Sequence, residues 1–84
     1  MRDLDVRLFG ALRPHGPRPT ITVRVGDGAT VATVRAALAE RLASENARAL
    51  LAASAFATDE RVLDDGDPVP EVRELAALPP VCGG

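Results

Sequence analysis

The residues with the most distinctive chemistry stand together in Pro79-Pro80-Val81-Cys82-Gly83-Gly84. A terminal Gly-Gly presents a carboxylate on a backbone without Cβ atoms, slender enough for a tunnel that side chains would block. Glycine also loses more backbone entropy on ordering than any other residue, so the pair gains little by packing on its own domain. The two prolines make a stiff stem, since each fixes its own φ and biases its predecessor away from helix. Four residues beyond Pro80 reach roughly 13 Å when extended. The expectation is a tail, residues 79–84, that a partner threads into its active site. Gly84 is the reactive residue, and Pro79, Pro80, Val81, Cys82 and Gly83 are the part the partner grips. An apolar run, Leu75-Ala76-Ala77-Leu78, leads into this ending with no polar linker, which argues against mere slack.

A domain of residues 1–78 has to position that tail. Eighty-four residues make one small unit, near the lower limit for a core without staples. Apolar residues form 46% of the chain, but only Phe9 and Phe56 are aromatic, so the core must be aliphatic. The net charge of −2 and the absence of Trp and Tyr argue against nucleic-acid binding. One cysteine makes no intrachain disulfide, and no apolar stretch approaches membrane-spanning length. The reading is a soluble, cytoplasmic protein.

Leu4, Val6 and Leu8 alternate on one face of a first strand, with Phe9 out of phase at its end. Gly10 and Pro14 to Pro19 read as a loop that continues neither strand nor helix. Ile21, Val23 and Val25 mark a second strand, antiparallel to the first. Thr30 is a helix N-cap, and Val31, Val34, Leu38 and Leu42 form the apolar stripe of a helix over 31–43. Thr33, Arg35, Glu40 and Arg41 lie away from that stripe. A second short helix is expected over 48–53. Ser54 to Ala57 is a short strand anchored by Phe56, paired weakly with Val62-Leu63. Asp64 to Pro68 is turn chemistry, and Glu74 to Leu78 is a last strand buried in mid-sheet. Paired parallel to the first strand, it completes an α+β, ubiquitin-like β-grasp: a mixed sheet crossed by one main helix. Leu75 and Ala77 then face the helix. Ala76 and Leu78 face the other way, and Phe9 joins them as a candidate partner interface.

With this order and a Leu78-Pro79-Pro80-Val81-Cys82-Gly83-Gly84 ending, the chain resembles the sulfur-carrier family of β-grasp proteins. Within that family it is most similar to the small subunits of molybdopterin synthase; the thiamin-pathway carriers come second. The opening Val-Arg-Leu-Phe-Gly strand and the Thr-Val helix start carry the rest of the resemblance. It departs from the family pattern in two places. Asp65-Gly66-Asp67 stands several residues early, so that 68–73 is an insertion or 70–73 fills that turn; and Cys82 replaces a common Ser.

The resemblance implies that an E1-like adenylating enzyme uses ATP to activate the Gly84 carboxylate, which is otherwise anionic and a poor electrophile. A sulfur donor enzyme then converts it to a thiocarboxylate. The large subunit of molybdopterin synthase, in a heterotetramer, would present a pterin precursor to that soft nucleophile. The domain itself would supply no acid, base, metal or bound cofactor, acting as a non-catalytic, sulfur-donating subunit. Cys82 has two readings, a transient covalent link to the activating enzyme or a small side chain in a close-fitting channel, and the second is preferred.

Other features carry less. His15 is a lone histidine in a Pro/Gly loop. The acidic run 59–67 lacks the ligand spacing of a calcium loop, and no Lys-Ser/Thr follows Gly26-Asp27-Gly28. The alternative reading is an interaction module or a protein modifier. The chain contains no lysine, so lysine-linked polymers of the chain itself are excluded.

Overall fold

Period-two alternation produces the first two strands as expected. The computed structural model describes residues 1–80, in which β1 (Arg2–Leu8) buries Leu4, Val6 and Leu8, and β2 (Thr20–Val25) buries Ile21, Val23 and Val25. They pair antiparallel, with Val6 opposite Ile21.

The connection between them is more ordered than a loop. Gly10–His15 forms a 3-10 helix containing Pro14, and its Leu12 is completely buried. Pro14 is tolerated because two tight turns ask little of its missing N–H. Gly10, at φ +53°, makes the bend that starts it.

Helix α1 (Val31–Ala39) turns Val31, Val34 and Leu38 onto the sheet. Thr30 precedes it in extended conformation, and the Thr33 hydroxyl accepts the Thr30 N–H at 3.4 Å. The helix ends four residues earlier than its apolar stripe suggests. Tightened turns, Arg41 N–H to Leu38 O and Leu42 N–H to Ala39 O, still bring Leu42 into the core. Helix α2 is Glu45–Ala52, starting before the expected 48 because Ser44 caps it by accepting the Ala47 N–H at 3.0 Å.

The remaining strands are β3 (Ala55–Ala57), β4 (Val62–Leu63) and β5 (Glu74–Leu78), giving the sheet order β2-β1-β5-β3-β4. Strand β5 lies parallel to β1, with Leu8 beside Ala77, and antiparallel to β3. The fold is an α+β, ubiquitin-like β-grasp.

Asp65-Gly66-Asp67 and the segment after it have a definite task. The carbonyls of Asp67 and Asp65 accept the Val31 and Ala32 N–H groups at 3.0 Å, closing the free amides at the start of α1. Val69 N–H bonds Ala29 O, and Arg2 donates to the Val72 and Pro70 carbonyls at 2.7 and 2.6 Å. Residues 68–73 therefore carry the chain from the helix start back to the sheet.

Arg35 was expected away from the apolar stripe, and it does leave it, but not for solvent. Its guanidinium lies 4.9 Å from the Phe56 ring centroid and donates to the Leu51 and Ser54 carbonyls at 2.6 and 2.7 Å. A two-point contact to Asp65, at 2.6 and 3.3 Å, completes the clamp.

Candidate functional site

Side chains on the sheet face opposite α1 follow from register. One cross-strand row reads Thr20, Arg7, Ala76, Ala57 and Val62. In the next, Leu78 stands opposite Ala55. Phe9 continues the ladder beyond β1, its N–H bonding Ala77 O at 3.2 Å. Phe9 is 39% exposed, so it is not a core residue. Phe9, Ala57, Val72 and Ala76 line a shallow depression of about 370 Å3, with Glu74 and Asp59 on its rim.

The outer face thus brings together Phe9, Ala76 and Leu78, the last two half-buried. It adds Val62, which is 64% exposed, and the backs of Ala55 and Ala57. Val62 is a contributor that a sequence reading can find: opposite Ala57, it must share the outer face if Phe56 and Leu63 point inward. Arg7 stands beside Ala76 and approaches Glu74 at 3.7 Å, both side chains about half exposed. A pair that open contributes little to stability.

The root of the stem is also defined. Strand β5 ends at Leu78, Pro79 is half-buried, and Pro80 is exposed. Pro79 lies against Gly10: a Cβ built there would fall 3.1 Å from the Pro79 Cγ. Val81, Cys82, Gly83 and Gly84 lie outside the described residues.

Among the described residues no three His, Cys, Asp or Glu side chains converge as a metal site, and His15 is exposed. Among them, too, no helix is long and apolar enough to cross a membrane. The chemically distinctive features are an apolar outer face and a proline stem rooted beside it.

The sequence model of the ThiS family matches residues 6–84. The chain belongs to the ThiS family. Members of the ThiS family are small carriers of ubiquitin-like fold, and its sulfur carriers are activated by adenylation. SAMP1 from Haloferax volcanii superposes with a TM-score of 0.75 at 23% identity, covering 99% of this chain and 100% of that one. Another crystal structure, of H. volcanii small archaeal modifier protein 1, gives 0.70 at 23% identity over 96% and 100%. At that identity the likeness is one of fold. The protein complex of subunits 1 and 2 of molybdopterin-converting factor from Helicobacter pylori 26695 contains a chain matching at TM-score 0.64 and 25% identity, over 99% of this chain and 100% of that one. No curated protein gives a significant match.

Proposed function

We propose that this ThiS-family chain is the small, sulfur-donating subunit of a molybdopterin synthase. The observation that carries the proposal is the continuity of the Phe9, Ala76 and Leu78 face with the Pro79-Pro80 stem, in a chain similar to one found in a molybdopterin-converting complex. The outer face docks the large subunit, and residues 79–84 enter its active site.

In the activating step, an E1-like enzyme joins the Gly84 carboxylate to the α-phosphorus of ATP, releasing pyrophosphate. Sulfide delivered by a sulfur donor then displaces AMP from the acyl carbon and leaves a thiocarboxylate. Its sulfur, anionic at neutral pH, attacks the pterin precursor held by the large subunit. The same terminus would serve a thiamin-pathway carrier, so the partner, not the tail, separates the two roles.

Deleting Gly84 tests the reading. The reacting carbon moves back by roughly 3.5 Å, and a misplacement of about 1 Å can cost a hundredfold in rate. The variant should keep the circular dichroism of the parent, bind the large subunit and yield no molybdopterin from purified components. Product formation by the variant would sink the sulfur-carrier reading in favour of an interaction module.

A further inference from the structure

The stretch 6–26 contains Arg7, Arg13, Arg18 and Arg24 and no acidic residue, while all 12 acidic residues of the chain lie outside it. On a protein of net charge −2 this is a marked asymmetry; Arg24 faces Asp3 at 3.5 Å and Arg7 faces Glu74 at 3.7 Å, so its free charge lies with Arg13 and Arg18. Two adjoining hollows, of about 250 and 340 Å3, share Thr20 as a wall. Arg7 and Arg13 line one, Arg18 and Arg41 the other, and no carboxylate lines either. Arg13 and Arg18 are exposed, and among the described residues neither forms an ion pair.

Two observations relate this band to the tail. Because β5 runs parallel to β1, the β1–β2 connection carrying Arg13 and Arg18 lies at the end of the sheet where Leu78 passes into Pro79. Phe9, moreover, lines both the hollow of Arg7 and Arg13 and the depression with Ala76. The arginine band and the apolar face are one continuous surface.

We propose that the arginine band is a second docking surface, and that the enzyme adenylating the tail presents carboxylates beside the mouth of its channel. The proposal rests on the sulfur-carrier reading above. The open hollows, with no buried polar side chain aimed into them, make no cage for a small anion. Nucleic acid fits poorly, because Phe9 is the sole aromatic ring there and the rest of the chain carries 12 acidic residues against six arginines. Charges at the rim of an interface act mainly on the approach of the partners, steering the tail toward its tunnel.

The test uses the full chain and the adenylating enzyme encoded in the same genome. Association and dissociation rates are measured from low salt to about 0.5 M, where surface charges are screened within a few ångströms. The parent should associate fast at low salt and slow steeply as salt rises. Arg13→Glu/Arg18→Glu should associate about tenfold more slowly at low salt and lose that steepness, with dissociation changed by less than about threefold. Arg61→Glu/Arg73→Glu makes the same change of net charge elsewhere and should behave like the parent. Equal slowing in both double variants would reduce the effect to net charge and overturn the proposal. So would a band variant with the parent's rates, or one whose only lost property is binding to a single-stranded RNA homopolymer. If the parent forms its thiocarboxylate while the band variant is unimpaired, the arginine band alone fails. If the parent neither binds the enzyme nor is activated by it, the sulfur-carrier reading fails with it.

Discussion

Replacing Arg35 with alanine should be among the most damaging single changes outside the aliphatic core. The side chain is 18% exposed and joins three segments that the sheet alone does not hold: α1, the end of α2, and the turn at Asp65. Hydrogen bonds from a charged donor are worth roughly 1.5–3 kcal/mol each, and two of them reach the Leu51 and Ser54 carbonyls. The stacking on Phe56 adds about 0.5–1 kcal/mol. The Asp65 contact adds no more than about 1 kcal/mol, since that carboxylate is 54% exposed and screened by solvent. Taking the low ends, the loss is about 3.5 kcal/mol against a total stability of about 5–15 kcal/mol for a small domain. Urea denaturation followed by circular dichroism measures it directly, and the melting temperature should fall by roughly 15 °C or more. Arg35→Lys should recover less than half, because a point-like ammonium cannot span both carbonyls and Asp65. A loss below about 1 kcal/mol for alanine, or full rescue by lysine, would refute this account of the clamp.

Gly10→Ala should cost about 1–2 kcal/mol, because it forces alanine to a left-handed φ and presses a methyl group toward Pro79. Gly66→Ala, with nothing within 4 Å of its new Cβ, should stay within about 0.5 kcal/mol of the parent in the same melts. Phe9→Ala should leave the melting temperature nearly unchanged yet weaken capture by the large subunit in a pull-down or calorimetric titration; a sharply lower melting temperature would return Phe9 to the core. Cys82→Ser should retain most sulfur transfer in a purified assay, and loss of transfer with binding intact would give the thiol a covalent role.

The strands were legible because their burial is one-sided: Leu4, Val6 and Leu8, then Ile21, Val23 and Val25, announce period two directly. Phe9, Ala76 and Leu78 follow from the same alternation, so the outer face is legible in the sequence. The 3-10 helix was hidden, since Pro14 and the flanking glycines mimic a plain loop and one buried residue, Leu12, makes no period. The early end of α1 has no Gly or Pro to signal it. Leu42 keeps the helical spacing while reaching the core through tightened turns. The sequence places Arg35 off the apolar stripe but not in its clamp, because its partners lie 16, 19 and 30 residues away and side-chain contacts at that distance leave no local pattern.

The central place of β5 has a mechanical consequence. A partner that grips residues beyond Pro80 and pulls along the strand places the ladders of β5 in shear. The rungs to Asp5–Leu8 of β1 on one side and Ala55–Ala57 of β3 on the other share the tension together. A tail springing from an edge strand pulled sideways would instead unzip one rung at a time. Forced unfolding is governed by the height of the unfolding barrier, and shared loading keeps that barrier high. A pull on the chain beyond Leu78 is therefore resisted by both ladders at once.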